Sequence, residues 1–175
     1  MEVGLHGKKH NMKVKTMISK FIQNFIDNKD CQSIDNKTFL NLNPANGETI
    51  CEVARSNNKD VSVAIESAKS AQKLWATTPP VQRGLILHQI VIEMINNREH
   101  IAEIVALETG KSFKEAYGET GGAIQCGLFY ASEGQRLYGR TTTSGVPNKF
   151  ASTIRQPVGI AGLIIAANTP IANVA

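Results

Sequence analysis

GIAGLIIAA, residues 159–167, is the stretch that decides the fold class of this chain, and Asn168-Thr169-Pro170 follows it directly. An uncharged apolar run of this length, bounded by Gly and Pro, is typical of a buried strand in a parallel sheet. Such a strand needs neighbours in its sheet and helices over the faces of that sheet. The sequence ends five residues after Pro170. We therefore expect the opening portion of a larger α/β enzyme, with an incomplete sheet.

Composition and charge exclude several classes of protein. The 175 residues are 42% hydrophobic and 19% charged, which is typical of a soluble globular protein. The formal net charge of +4 comes from residues 1–26, which hold five lysines and one glutamate, whereas the remaining 14 basic and 14 acidic residues balance. A nucleic-acid binder would carry its basic side chains on the folded body. The charge pattern therefore predicts a basic tail over residues 1–20 and no nucleic-acid partner.

Targeting and metal signals are weak in this sequence. We find no apolar run of the roughly 18–20 residues that a membrane helix needs, and residues 1–16 lack the apolar core of a secretory signal. We therefore expect no membrane partner. Three cysteines, an odd number without metal-like spacing, favour a reducing cytoplasm over a disulfide framework. The four histidines show no paired spacing suited to a metal, so we expect no metal site; they are His6, His10, His88 and His100.

Two β-ribbons are predicted from turn chemistry. Strand-like runs at residues 38–42 and 49–54 flank a turn that ends in Asn46-Gly47, which is a strong hairpin signal. Residues 28–36 are rich in turn-forming residues. A second ribbon is expected where residues 141–144 and 150–155 flank Gly145-Val146-Pro147-Asn148.

Helical spacing predicts four helices between the hairpin and the ribbon. Ser56 or Asn58 is expected to cap the first helix. The second should begin at Pro79-Pro80 and run to about residue 97, and the third should run over about 99–109, with Gly110 as its left-handed terminator. The fourth should span about 113–137. The apolar stripe of the first helix consists of Val61, Ala64, Ile65, Ala68, Ala71 and Trp75.

In their order and spacing, these features resemble the amino-terminal part of the aldehyde dehydrogenase superfamily, from about Phe25 to Ala175. Four motifs carry the resemblance: Asn43-Pro44-Ala45-Asn46-Gly47-Glu48, the helix around Asp60-Val61, Glu108-Thr109-Gly110-Lys111, and Arg155-x-Pro157-Val158-Gly159. The apolar spacing from Val14 to Ile26 predicts a helix, but the resemblance implies an edge strand over residues 24–29. We therefore expect a helix to about residue 20 and a strand over about residues 21–27.

The resemblance implies both the fold and its division. The expected α/β arrangement is a β-hairpin, four helices, a β-ribbon and a first buried strand. Residues 21–139 and 157–175 would begin a dinucleotide-binding domain. Residues 140–156 would form a ribbon that pairs with another subunit of a homodimer or homotetramer, and the catalytic domain would be absent from these 175 residues.

Asn168 is the residue to which the resemblance assigns chemistry. In this family an Asn in a Pro-Trp-Asn-x-Pro-like context points its amide at the oxyanion of the reaction; the alternative from the sequence alone is that Asn168 caps the helix beginning at Thr169-Pro170. By position, the residues before it should line the nicotinamide-ribose side of an NAD or NADP cleft; these are Ile164, Ile165, Ala166 and Ala167. Because Ala166-Ala167 replaces the usual Pro-Trp, that lining is smaller here.

The activity implied by the resemblance is NAD(P)-dependent oxidation of a small aldehyde to a carboxylic acid. A Cys thiolate would attack the aldehyde, hydride would pass to the nicotinamide, and a Glu-activated water would hydrolyse the thioester. Two alternatives stay open. One is transfer of the acyl group to CoA or phosphate, and the other is a non-catalytic helical interaction module.

Several tempting residues have plainer explanations. Cys126 lies mid-helix and is expected to be a small buried hydrophobe, like Cys31 and Cys51, so the nucleophile and the activity should be missing from this chain. Gly110-Lys111-Ser112 matches the end of a phosphate-binding loop, but Val105 stands where the first glycine is needed. Acidic side chains on helix ends and faces are expected to be solvated or ion-paired, not acid–base catalysts; they are Glu108, Glu115 and Glu119.

Overall fold

A computed structural model of the protein describes residues 18–175. Predictions for the basic tail and for a helix before residue 18 lie outside these residues, and residues 18–20 are not helical. The described part contains seven short strands and five helices. They are β1 (Phe21–Ile22), β2 (Asn24–Ile26), β3 (Lys29–Cys31), β4 (Thr38–Leu42), β5 (Thr49–Ala54), α1 (Asn58–Thr77), α2 (Pro80–Asn96), α3 (Arg98–Thr109), α4 (Phe113–Glu133), β6 (Thr141–Thr143), β7 (Phe150–Ser152) and α5 (Pro170–Val174).

The predicted hairpin is confirmed as the antiparallel pair β4–β5. Its turn closes through a hydrogen bond from the Asn43 N–H to the Glu48 carbonyl at 2.8 Å. Gly47 has a φ of +74°, a conformation that glycine adopts without the steric cost of a Cβ. On its other edge β5 pairs in parallel with β1, which gives a sheet of order β1-β5-β4.

The strand expected over residues 21–27 is present, but it is split. β1 joins the larger sheet, whereas β2 turns back on β3 as a second hairpin. Asp27 and Asn28 form the two-residue turn, both with positive φ, as tight hairpins require. The turn-rich stretch of residues 28–36 therefore also contains a strand, β3.

The N-cap of the first helix lies between the two predicted caps, Ser56 and Asn58, one residue from each. Asn57 is the N-cap: its side chain accepts from the Lys59 N–H at 2.7 Å, and Asp60 accepts from the Asn57 N–H at 2.8 Å. This reciprocal pair of hydrogen bonds is a capping box. A prediction from a single Ser or Asn before the apolar stripe does not take the Asp60 partner into account. Most of the predicted stripe is exposed, including Val61, Ile65 and Trp75, so little of its apolar surface is buried against the described residues.

The core lies where α2, α3 and α4 meet and where β5 rests on α3. Fully buried side chains come from all three helices: Val91, Ala102, Ala116, Thr120 and Ala123. Ile50 and Cys51 of β5 pack against Leu107 of α3. Because most of these side chains are small, the helices pack closely, and dispersion contacts contribute to the stability of the cluster.

Gly84 lies at a close approach of α2 to α4, since a Cβ at this position would lie 2.5 Å from the Ala131 carbonyl oxygen. We expect Gly84→Leu to destabilise the protein by about 3 kcal/mol, because two helix backbones would have to separate. The matched control is Gly118→Leu, also within a helix, where nothing lies within 4 Å of an added Cβ. Urea unfolding followed by helical circular dichroism checks this, and equal midpoints for the two variants would contradict it.

The third helix ends as predicted and the fourth ends early. Gly110 follows α3 in the left-handed conformation, with a φ of +75°. α4 ends at Glu133, four residues before the predicted end at Leu137. The reason is a turn in which the Gln135 and Arg136 N–H groups bond to the Ser132 and Glu133 carbonyls, so the helical pattern is not continued.

The second ribbon is confirmed, whereas the burial of the apolar stretch is not. β6 and β7 pair antiparallel, with Thr142 opposite Ala151. Residues 159–166 form no helix or strand and have no ladder partner among residues 18–175, and Val158, Leu163 and Ile164 are strongly exposed. The predicted buried strand is therefore corrected to an exposed, unpaired segment. The physical reason is that no strand of the described chain lies beside it and no helix covers it.

Candidate functional site

Asn168 lies on the turn between the exposed apolar segment and α5. The N-cap of α5 is Thr169, and no side chain makes a capping hydrogen bond there. The alternative expectation, in which Asn168 caps this helix, is therefore wrong. Asn168 is exposed, and within residues 18–175 its side-chain amide has no hydrogen-bond partner. The amide is thus available to a group outside the described chain.

A partly buried ion pair holds the Asn168 turn. The ammonium of Lys111 donates to the Asn168 carbonyl at 2.7 Å and to Glu119 Oε2 at 2.6 Å. The other oxygen, Glu119 Oε1, accepts from the backbone N–H of Ile171 at 3.0 Å and of Ala172 at 3.4 Å. One lysine and one glutamate therefore contact the backbone on both sides of Thr169-Pro170.

The Glu119 carboxylate is kept charged by these contacts. Burial by itself would raise its pKa, but the Lys111 ammonium and the Ile171 and Ala172 N–H groups stabilise the anion, so the pKa lies below the ordinary 4.5. The carboxylate is therefore ionised at neutral pH. Its contribution to stability is fully present above the ordinary pKa and is lost as the pH falls through the lowered one.

Local sequence explains why Lys111 and Glu119 meet. Gly110 ends α3 and turns the chain, and Ser112 then starts α4 with a capping box to Glu115. Glu115 and Glu119 are four residues apart and so lie on one face of α4. Glu119 therefore faces back toward the α3–α4 connection, where Lys111 lies.

Sequence reasoning missed the role of this pair. The sequence predicts a solvated or ion-paired role for Glu119, which is correct only for the pairing, and it assigns no partner to Lys111. The capping box with a further Glu one turn later was the available signal. The link to Asn168 had no signal, since 57 residues separate Lys111 from Asn168.

The predicted cofactor-lining residues precede Asn168 in the exposed segment. Ile164 is fully exposed and Ile165 is just over one-third exposed, and Ala166 and Ala167 are also exposed. No charged residue occurs between Arg155 and Ala175. The segment therefore presents a small, uncharged apolar surface next to the Asn168 amide.

The three cysteines do not form a nucleophilic centre with Asn168. Cys51 is buried, which raises the pKa of its thiol and disfavours the reactive thiolate. Cys31 donates to the Asn24 carbonyl in the β2–β3 hairpin at 3.6 Å. Cys126 lies on α4 and is exposed, which corrects the expectation that it is buried.

Other candidate sites are excluded over the described residues. Gly110-Lys111-Ser112 joins two helices and does not follow a strand, so it does not form a phosphate-binding loop. Within residues 18–175 no group of three His, Cys, Asp or Glu side chains is placed to hold a metal ion. The helices of this part of the chain are too short or too polar to cross a membrane.

Known proteins are similar to this chain in sequence and in arrangement. A sequence model of the aldehyde dehydrogenase family matches residues 31–175. Malonate-semialdehyde dehydrogenase of Halalkalibacterium halodurans is 36% identical over 149 residues, which cover 85% of this chain and 31% of that relative. The chain spans about three tenths of the length of the curated relatives that it matches.

Solved structures agree with the described arrangement. An NADP-dependent enzyme of E. coli superposes with a TM-score of 0.84 at 28% identity, over 87% of this chain and 32% of that one. Betaine aldehyde dehydrogenase of Staphylococcus aureus, in complex with NAD+, has a TM-score of 0.88 at 23% identity, over 94% of this chain and 33% of that one. The second likeness concerns the fold alone.

Proposed function

Because the chain belongs to the aldehyde dehydrogenase family, we propose that it contributes to an enzyme that oxidises an aldehyde to a carboxylic acid with NAD or NADP. In this proposal the reaction passes through a Cys thioester, and sequence beyond residue 175 supplies the Cys. The observation that carries the proposal is the Asn168 turn. Its amide is exposed and free of a capping role, and its backbone is tied to Lys111 and Glu119.

The proposed role of Asn168 is to stabilise the oxyanion. When a thiolate adds to an aldehyde carbonyl, negative charge develops on the carbonyl oxygen. A neutral amide N–H donates to that oxygen without titrating, and a donor held in advance needs no reorganisation during the reaction. An Asn suits this role better than a lysine, whose positive charge would also bind carboxylates and other anions in the ground state.

Ile164, Ile165, Ala166 and Ala167 are proposed to line the nicotinamide side of the cofactor cleft. Their uncharged, exposed surface fits a flat ring, and the two alanines leave room for close approach. When bound, NAD or NADP would accept the hydride from the oxyanion adduct. The residues of this chain would exclude water from that face and leave the amide of Asn168 beside the reacting oxygen.

The domain division is likewise proposed from the family. Residues 21–139 and 157–175 would belong to the dinucleotide-binding domain, and residues 140–156 would pair with another subunit in a cytoplasmic homodimer or homotetramer. Support comes from the β6–β7 ribbon, whose Phe150 is 91% exposed, and from Ile154, two residues beyond β7, which is 75% exposed. Large exposed apolar side chains on a ribbon are suited to contact with a second protein surface.

The ribbon proposal makes a testable prediction. In the protein expressed from the longest reading frame that contains these residues, Phe150→Ser should shift the oligomer toward monomers, because the central apolar contact is lost. Sedimentation velocity measures the change. Thr142→Ser, on the same exposed ribbon, is the control and should leave the oligomer intact. An unchanged oligomer in the Phe150→Ser variant would place the subunit contact elsewhere.

The proposed activity is tested on the same protein. A panel of short aliphatic, aromatic and acidic aldehydes is offered with NAD or NADP, and reduced cofactor and carboxylic acid are measured together. We expect one equivalent of each product per turnover. Acid without reduced cofactor would contradict the proposed reaction, as would reduced cofactor that appears only when CoA or inorganic phosphate is added, with acyl-CoA or acyl phosphate in place of the acid.

A further inference from the structure

We propose that Lys111 and Glu119 are positioning residues that set the orientation of the Asn168 amide. The inference rests on the proposed function of Asn168, and it adds two residues that do not touch the reacting atoms. They act by forming hydrogen bonds to the backbone on both sides of Thr169-Pro170. Residues 153–167 form no helix or strand, so the chain that enters the turn does not orient it.

Three side chains hold the turn: Lys111, Glu119 and Ile171. The Lys111 ammonium holds the Asn168 carbonyl at 2.7 Å, before the turn. Glu119 holds the Ile171 and Ala172 N–H groups, after the turn, at 3.0 and 3.4 Å. The Ile171 side chain packs against the buried cluster of Ala102, Val105 and Ala116. Only Thr169 and Pro170 lie between the two polar attachments, so the direction of the Asn168 Cα–Cβ bond is restricted.

Burial distinguishes this ion pair from an ordinary surface pair. The side chains of Lys111 and Glu119 are 19% and 6% exposed, whereas Lys69 and Glu66 on α1 are 58% and 70% exposed. Exposed pairs contribute little because water screens them and the side chains stay mobile. Removing one partner of a sheltered pair leaves the other without compensation, so the remaining one must move toward water. Loss of Lys111 would therefore also displace Glu119 from the two N–H groups.

Positioning of this kind affects rate more than binding. An oxyanion donor must lie about 2.7–3.1 Å from the developing charge, and a displacement of about 1 Å can cost about a hundredfold in rate. We therefore expect Lys111→Met to lower the acylation rate about 10- to 100-fold, with the Kd for the cofactor changed less than about threefold. Lys111→Arg keeps a cation with several N–H donors and should retain most of the rate.

The test is carried out on the active protein from the longest reading frame. Lys111→Met, Lys111→Arg and Glu119→Gln are compared with Lys114→Met, which removes an exposed lysine three residues away. Single-turnover kinetics give the acylation rate. Hydrogen–deuterium exchange of the peptide covering residues 168–174 measures how strongly the backbone N–H groups of the turn are protected. We expect faster exchange in Lys111→Met and Glu119→Gln, near-normal exchange in Lys111→Arg, and no change in Lys114→Met.

The two proposals fail in different ways. Unchanged exchange of residues 168–174 in both Lys111→Met and Glu119→Gln would overturn the positioning role, whatever the rates. Faster exchange with an unchanged acylation rate, in a protein where Asn168→Ala is slow, would also overturn it. A normal rate in Asn168→Ala would instead remove the proposed function of Asn168, while altered exchange would still show that the pair holds the turn.

Discussion

Asn168→Ala should lower the rate of acylation by about two to three orders of magnitude in the protein from the longest reading frame. The alanine keeps the turn, since Lys111 contacts the Asn168 backbone carbonyl and not its side chain. What is lost is one N–H donor at the oxygen where negative charge develops. The Kd for NAD or NADP should barely change, because the amide would meet the oxyanion and not the nucleotide.

The measurement is the pre-steady-state burst of reduced cofactor, with aldehyde and cofactor both saturating. Asn173→Ala is the matched control, because Asn173 is an exposed Asn of the same helix that follows the turn. It should keep the burst rate of the unsubstituted protein. If Asn168→Ala retained more than about a tenth of the normal rate, the amide would not be an oxyanion donor.

The second large effect is complete loss of activity in residues 1–175 expressed alone. The chain has three cysteines. Cys51 is buried, which raises the pKa of its thiol. The Cys31 thiol donates a hydrogen bond within the β2–β3 hairpin, and Cys126 lies on the exposed surface of α4. Burial disfavours the thiolate of Cys51, and we assign the nucleophile to none of the three.

Purified residues 1–175 should therefore form no reduced cofactor with any aldehyde, although their far-ultraviolet circular dichroism should be strongly helical. The longest reading frame, assayed at equal molar concentration, is the positive control. Aldehyde-dependent reduction of NAD or NADP by residues 1–175, abolished by Cys126→Ser, would assign the nucleophile to a residue that we exclude.

Local chemistry explains the parts of the fold that the sequence predicts well. The β4–β5 hairpin follows from Asn46-Gly47, and the end of α3 follows from Gly110, because in each case a few adjacent residues determine the backbone conformation. The start of α1 differs from the prediction, because its N-cap lies one residue from each predicted cap. Asn57, and not Ser56 or Asn58, is the N-cap because Asp60, three residues later, completes a capping box with it.

Tertiary contacts explain what the sequence does not predict. The apolar composition of residues 159–166 predicts burial, yet burial depends on partners that the described chain does not place beside this segment. The Lys111–Asn168 contact joins positions 57 residues apart and depends on how α5 docks on α4. For the candidate site, the sequence and its family resemblance therefore indicate Asn168. The Lys111–Glu119 pair that holds the turn is apparent only from the tertiary structure.

The bare apolar segment has a practical consequence for work with this chain. From residue 156 onward no side chain carries charge, so the net charge of +4 gives this part no electrostatic protection against self-association. Its backbone, which is unpaired within the described residues, and its apolar side chains are suited to forming intermolecular β-structure. Salt that screens the charges on the rest of the chain should hasten precipitation. A charged gatekeeper residue within the segment, such as Leu163→Lys, should delay it.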